Sequence, residues 1–110
     1  MIKKRGEKMS KAIKGCPIDQ TIQAIAGKWK AVIIHVLLHT PVCRFSELQE
    51  KLPDCTRRML ALQLKKLTAD GIVKKRVYAT VPPKTEYSLT SRGKQLGPVI
   101  EGMQDWGKQG

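Results

Sequence analysis

Aromatic and acidic residues are both scarce in this chain of 110 residues. It has one Phe, two Tyr and two Trp, whereas proteins that read RNA usually carry aromatic platforms on which bases stack. Nine acidic residues stand against 21 basic ones, which gives a formal net charge of +12. This imbalance favours an anionic partner, either a nucleic acid or an acidic membrane surface.

Long hydrophobic runs are missing as well. The apolar runs are too short to span a bilayer, and no apolar stretch of the kind found in signal peptides follows the basic start at residues 1–5. There are three cysteines, an odd number without close pairing, which argues against a disulfide framework. We therefore expect a cytoplasmic protein with free thiols and no membrane partner.

Motifs for catalysis or cofactor binding are also missing. The sequence has no glycine-rich phosphate loop, no carboxylate pair flanking a cleft and no Ser-His-Asp set. His35 and His39 have a metal-compatible spacing and Cys43 is close in sequence, but a structural zinc site needs four ligands. Exposed surface histidines are the favoured interpretation. We expect no enzyme, no cofactor and no metal, with a thiol activity at Cys16 as the best enzymatic alternative.

The chain divides into a basic arm and one domain. Residues 1–14 hold six Lys or Arg and one Glu, which fits a disordered tail touching phosphates or a short charged helix. Residues 15–110 are enough for one compact domain. Within it, apolar stripes predict helices at residues 18–26 and 29–39, with Gly27 as the stop between them.

A helix-turn-helix follows. Ser46 is predicted to cap a helix over residues 47–51, with Gln49 completing a capping box. Thr56 is predicted to cap a second helix over residues 57–69, and Gly71 to end it. A tight link at residues 53–55 joins the two helices, which is the shape of this motif.

The hydrophobic period then changes to that of strands. Residues 72–79 and 85–89 predict a β-hairpin whose connection contains two prolines. A last helix, over residues 91–107 and capped by Thr90 or Ser91, carries an apolar stripe. A partner helix from a second subunit is favoured over a membrane surface, because the opposite face of this helix is not strongly basic. The expected fold is α+β: a winged helix-turn-helix, mostly α, with a hairpin wing and a C-terminal dimerisation helix.

The second helix of the motif carries the most informative pattern. At 100° per residue, Leu60, Leu64 and Leu67 point inward, and a basic face without acidic residues points outward. Such a face fits the DNA major groove, although on an isolated helix it would more often be a solvated surface. The basic residues of the hairpin would reach phosphates or protect the sheet edge. The expected DNA contacts are Ser46, Thr56, Arg57, Arg58, Ala61, Leu62, Lys65, Lys66, Lys75, Arg76 and Lys84.

Several short motifs, in this order, resemble the HxlR family of bacterial and archaeal winged-helix regulators. They are Cys16-Pro17, Gly27-Lys28-Trp29, Arg44-Phe45-Ser46-Glu47-Leu48, Arg58-Met59-Leu60, Leu64, Leu67, Asp70-Gly71-Ile72-Val73, Tyr78, Val81-Pro82-Pro83 and Glu86-Tyr87-Ser88-Leu89-Thr90. The likeness covers about residues 15–107. The pair of Val-Pro-Pro and Glu-Tyr-Ser-Leu-Thr is its most specific part.

The resemblance implies a homodimer that represses or activates a nearby promoter. Its two recognition helices would face successive major grooves of a pseudo-palindromic site on duplex DNA. Its interface would involve Ile18, Ile22, Leu96, Val99, Ile100, Met103 and Trp106. Some family members sense electrophiles or oxidants at the position of Cys16. Lys14 would make that thiol more reactive, whereas the alternative is a small apolar contact at the interface. Any small-molecule effector is unspecified.

Two departures from the family pattern matter. Ala61 and Leu62 stand where the pattern is more polar, which implies an unusual operator. Cys43 and Cys55 are not part of the pattern, so the resemblance implies nothing for them. An RNA-binding or non-specific nucleic-acid-binding module remains the alternative function.

Overall fold

The computed structural model describes residues 16–109, so the predicted basic arm over residues 1–14 lies outside the described residues. In order along the chain, the elements are α1 (Pro17–Ile25), α2 (Lys30–His39), β1 (Cys43–Arg44), α3 (Phe45–Lys51), α4 (Arg57–Ala69), β2 (Val73–Tyr78), β3 (Lys84–Leu89), α5 (Ser91–Lys94) and α6 (Gly97–Gln109).

The three strands form one antiparallel sheet in the order β1-β3-β2. The hairpin of β2 and β3 is the wing, and the short β1 adds to its inner side by pairing Cys43 with Tyr87 and Arg44 with Glu86. Because β1 leads directly into α3, this pairing ties the helix-turn-helix of α3 and α4 to the wing. The predicted α+β winged helix-turn-helix is confirmed.

Helix α2 forms the centre of the core. Its Ile33, Ile34 and Leu37 are buried, and it contacts α1, α3, α4, β3 and α6. The other buried hydrophobic side chains are Cys43, Leu48, Leu52, Cys55, Leu60, Leu64, Leu67, Ile72, Val73, Tyr87, Leu89 and Ile100. Burial of this apolar surface positions α4 and the wing on one scaffold.

Two glycines end helices as predicted. Gly27 and Gly71 have φ angles of 92° and 73°, a region that side chains with a Cβ rarely adopt. Each allows the chain to turn sharply after a helix, Gly27 between α1 and α2 and Gly71 between α4 and the sheet.

The predicted cap of α3 is wrong. The helix begins at Phe45 with Arg44 as its N-cap residue, and the Arg44 backbone N–H donates to Glu47 Oε1 at 2.8 Å. Strand pairing holds Arg44 in an extended conformation, so the helix starts two residues earlier than a cap at Ser46 would allow. Gln49 instead donates from Nε2 to the Cys55 carbonyl oxygen.

The single terminal helix predicted over residues 91–107 is also wrong. The segment forms α5 and α6, separated by Gln95 and Leu96. Pro98 has no N–H and disfavours helical backbone at the residue before it, so it suits only the first turn of a new helix. Thr90 caps α5, because its hydroxyl accepts from the Gly93 N–H at 3.0 Å.

Within residues 16–109, no single helix is long and apolar enough to cross a membrane. The adjacent helices α1 and α2 meet that test only when taken together, and they are bent by 82° at the break between them.

Candidate nucleic-acid interface

Helix α4 is held firmly at its start and along its inner face. The Thr56 hydroxyl accepts from the Met59 N–H at 3.1 Å, which confirms the predicted N-cap. Leu60, Leu64 and Leu67 are buried as predicted. The opposite face therefore has a fixed direction, and its side chains point to solvent together.

The outer face of α4 is basic and free of acidic residues. Arg58, Ala61 and Lys65 are exposed, and Leu62 leaves 44% of its surface in solvent. No Asp or Glu occurs anywhere between Arg57 and Ala69. A face with guanidinium, ammonium and small apolar groups has the chemistry that meets guanine edges and thymine methyl groups in a major groove.

The turn between α3 and α4 is fixed by buried contacts. Gln49 of α3 holds the carbonyl of Cys55, which lies just before the cap of α4. Cys55 is buried, and burial raises the pKa of its thiol. This turn keeps α4 at one angle to α3, as an inserted helix requires.

The wing separates its basic residues onto two faces. Across the hairpin, Lys75 is paired with Tyr87, and Arg76 is paired with Glu86. Successive residues of a strand point to opposite faces, so Lys75 and Arg76 cannot act on the same side. Lys75 lies beside Lys65 of α4 at the edge of a shallow cavity that Tyr87 also lines. The structure thus groups Lys75 with α4 and leaves Arg76 on the far face.

The far face of the wing is organised around Tyr78. The Arg76 guanidinium carbon lies 5.0 Å from the Tyr78 ring centroid, and the Lys84 ammonium lies 4.7 Å from it. A hydrogen bond to Glu86 raises the pKa of Tyr78. Glu86 also pairs with Lys84, with 3.9 Å between Oε2 and Nζ. One carboxylate and one ring therefore orient two basic side chains.

Sequence reasoning missed Arg44, Tyr78 and Glu86 as parts of this surface. The alternation of β2 and β3 would have separated Lys75 from Arg76 and placed Tyr78 and Glu86 beside Arg76. The position of Arg44 depends on the pairing of β1 with β3, and a two-residue strand leaves no periodic signal in the sequence.

Large apolar side chains are also exposed on α1 and on α6. Ile18 and Ile22 of α1 leave 69% and 53% of their surface exposed, and Met103 and Trp106 of α6 leave 47% and 76%. Val99 is partly exposed on the same helix. Ile100, in contrast, is buried in the core, and Leu96 packs against that core. Of the predicted interface residues, Leu96 and Ile100 therefore pack with the core of the chain, and the other five are exposed.

The three cysteines have different surroundings. Cys16 is half-buried and is the N-cap residue of α1. Cys43 and Cys55 are buried. Burial raises the pKa of the Cys43 thiol, and the nearby Glu47 carboxylate raises it further. Of these three thiols, Cys16 alone has access to solvent.

Of the two histidines predicted to be exposed, His39 is exposed and His35 is half-buried. The rings of His35 and His39 meet edge to face, with 4.7 Å between centroids. The Cys43 thiol donates to the Thr40 carbonyl oxygen at 3.7 Å. Among residues 16–109, no three His, Cys, Asp or Glu side chains are placed to hold a metal ion.

Helix α4 is basic, carries no acidic residue, follows a fixed turn and is flanked by a basic hairpin. This arrangement is typical of winged helix-turn-helix DNA-binding proteins. A family model described as "HxlR-like helix-turn-helix" matches residues 24–110. The chain belongs to this family, whose members are transcriptional regulators and not enzymes.

Relatives and solved structures agree with this assignment. The chain is 46% identical over 95 residues to the HTH-type transcriptional regulator YdeP of Bacillus subtilis (strain 168), covering 86% of this chain and 73% of that protein. The redox regulator HypR in its oxidized form matches with a TM-score of 0.80 at 44% identity, over 86% of this chain and 97% of the other. The transcriptional regulator YodB from B. subtilis, in its reduced form, matches with a TM-score of 0.73 at 36% identity. The match covers 86% of this chain and 92% of the YodB chain.

Proposed function

We propose that the protein is a cytoplasmic homodimer that binds a pseudo-palindromic promoter site on duplex DNA with sequence specificity. The outer face of α4 is the observation that carries this proposal. Arg58 and Lys65 would contact base edges in the major groove, and Ala61 and Leu62 would pack on thymine methyl groups. Lys66 and Thr56 would contact phosphates beside them.

The exposed apolar side chains of α1 and α6 support a dimer. Large apolar side chains that lie together on an exposed surface usually mark an interaction site. Two chains joined through Ile18, Ile22, Met103 and Trp106 would present two copies of α4. For successive major grooves on one side of the duplex, these helices must lie about 34 Å apart.

The wing would reach the DNA beside the inserted helix. Lys75 lies on the α4 side of the hairpin, so it would extend the basic surface of that helix. Arg76 and Lys84 lie on the opposite face of the hairpin, where Arg76 would reach the next stretch of backbone or the minor groove and Lys84 borders the start of α4.

Duplex DNA fits the structure better than RNA does. Phe45 lies under Arg57, and Tyr87 is buried. Trp29 packs against the core, and Trp106 lies on the apolar surface of α6. Only Tyr78 remains on the exposed face of the sheet, and one ring does not form a platform for successive bases.

A regulatory role for Cys16 is part of the proposal. Cys16 is the N-cap residue of α1, the helix that carries the exposed Ile18 and Ile22, and HypR is a redox regulator. Oxidation or alkylation of Cys16 would shift α1 against the partner subunit and change the distance between the two copies of α4. The test compares DNA affinity before and after alkylation, in the native chain and in Cys16→Ser. Equal affinity of alkylated and untreated native protein would contradict this role.

The function itself is tested by titration. A duplex selected from a random library is compared with a scrambled duplex and with one strand of the selected site, at several salt concentrations. We expect at least about a thousandfold preference for the selected duplex over the scrambled one, and affinity that falls steeply with salt. Equal binding to all three would indicate a non-specific polyanion binder. Preference for the single strand would favour an RNA-binding module.

A further inference from the structure

A basic cleft lies where α3, α4 and the wing meet. It has a volume of about 310 Å³, and its lining includes Arg44, Arg57 and Lys84 together with the hydroxyls of Ser46 and Thr85. The remaining lining residues are Phe45 and Pro83, so no carboxylate lines the cleft. Two guanidinium groups and two hydroxyls around one space supply the donors that an anion requires, while the Lys84 ammonium is already paired with Glu86.

The backbone brings these three cations together. Arg44 ends β1, Arg57 begins α4 and Lys84 begins β3. The pairing of β1 with β3 sets the position of Arg44 beside the base of the wing. The positions of these three residues around the cleft therefore follow from the fold.

The two arginines are available to an anion. Among residues 16–109, the only ion pair joins Lys84 to Glu86, so no carboxylate of the described chain lies within 4.0 Å of either guanidinium. Arg57 stacks on the Phe45 ring, with 5.3 Å from its guanidinium carbon to the ring centroid. Stacking orients the guanidinium and leaves the N–H groups at its edge free to donate.

The position of the cleft indicates which anion it binds. In the proposed complex, α4 enters a major groove and the wing lies toward the adjacent minor groove. One sugar-phosphate strand separates these two grooves of a duplex, so it must cross the gap between α4 and the wing. We infer that this cleft binds a phosphodiester of that strand, with Arg44 and Arg57 as its main ligands. The inference rests on the proposed function; it adds Arg44 to the interface and assigns Arg57, an expected DNA contact, to backbone binding.

The experiment measures the affinity of Arg44→Gln and Arg57→Gln for the selected and scrambled duplexes at several salt concentrations. Arg92→Gln is the matched control, because Arg92 is exposed and lines a separate cleft against α1. We expect each cleft variant to weaken binding to both duplexes equally, by about tenfold, and to reduce the salt slope by about two, because the proposed homodimer carries two copies of each arginine. The control is expected to match the native chain.

The possible outcomes separate the inference from the proposed function. Native affinity and salt slope in Arg44→Gln would overturn the inference while leaving the function intact. Loss of discrimination between the two duplexes in Arg57→Gln would also overturn it, since that result assigns Arg57 to base reading. If the native chain binds no duplex at all, the proposed function fails, and the inference fails with it.

Discussion

Gly93 of α5 packs directly on the backbone of Ile72, so closely that a β-carbon on residue 93 would overlap the Ile72 carbonyl oxygen. The same carbonyl accepts from the Thr90 N–H at 3.0 Å, and the Thr90 hydroxyl donates to the neighbouring Gly71 carbonyl oxygen at 2.6 Å. This contact fixes α5, and the start of α6 behind it, against the base of the wing.

Substitution of Gly93 tests this contact. Gly93→Ala is expected to lower the free energy of unfolding by about 2 kcal/mol, because the backbone must move to admit a methyl group. Gly102→Ala is the control, since a β-carbon at Gly102 meets no atom within 4 Å. It should be neutral or raise stability by up to about 1 kcal/mol. Urea unfolding at one protein concentration measures both, and equal stabilities would contradict the packing argument.

Association through α6 is tested by Met103→Glu. A carboxylate placed in an apolar interface would have to be desolvated, so the variant is expected to be monomeric at micromolar concentration. Val77→Glu is the control, because Val77 is also exposed and apolar but lies on the wing. Sedimentation equilibrium measures the mass of each. A dimeric Met103→Glu, or an equally monomeric Val77→Glu, would contradict the assigned interface.

The same variant is expected to lose DNA affinity. Joining two half-site contacts raises overall affinity by roughly a hundredfold or more over one contact. Met103→Glu should therefore bind the selected duplex at least about a hundredfold more weakly, although its outer α4 face is unchanged. Unchanged affinity in a monomeric variant would show that one chain is enough for the site.

The thiols are expected to react in two groups. Native protein treated with a maleimide under reducing-agent-free conditions should be labelled at Cys16 alone, because Cys43 and Cys55 are buried and burial raises their thiol pKa. Peptide mass spectrometry assigns the label, and Cys16→Ser is the control that should stay unlabelled. In urea all three thiols should react. Rapid labelling of Cys43 or Cys55 in the native state would contradict their burial.

Stability is expected to fall at alkaline pH. The native pKa values of Cys43, Cys55 and Tyr87 are raised by burial, so the native state keeps protons that the unfolded chain releases. The contribution of these three groups to stability is therefore constant below the unfolded thiol pKa near 9.0 and declines above it, and Tyr87 adds to the decline above 10.0. Urea unfolding from pH 7 to 10.5 measures this. Tyr87→Phe should decline less steeply above pH 10, and an identical decline would remove Tyr87 from the explanation.

Much of the fold follows from local sequence signals. The inner leucines of α4, the Thr56 cap and the two glycine stops are each a pattern within one element, and each was predictable. The predictions of the α3 cap and of one continuous terminal helix were wrong, because both features depend on contacts between elements or on a helix break. Pairing of β1 with β3 moved the start of α3 to Phe45, and Pro98 divided the terminal segment.

The sequence predicted most of the basic residues that belong to the candidate site, but it did not predict how they are grouped in space. The basic residues of α4 and the wing were identifiable from charge and period. Their grouping was not: Lys75 lies with Lys65, and Arg57 lies with Arg44 and Lys84. Arg44 belongs to a strand of two residues, whose partner is more than forty residues away along the chain.

The central claim is that the outer face of α4 reads base edges, and one measurement tests it most directly. The preference for the selected duplex over the scrambled one is determined for the native chain and for Arg58→Ala, with Arg92→Ala as the control. A guanidinium that pairs with a base edge contributes about 1–3 kcal/mol of discrimination, so Arg58→Ala should lose at least about fivefold of the preference. An Arg58→Ala variant that keeps the full native preference would contradict the account.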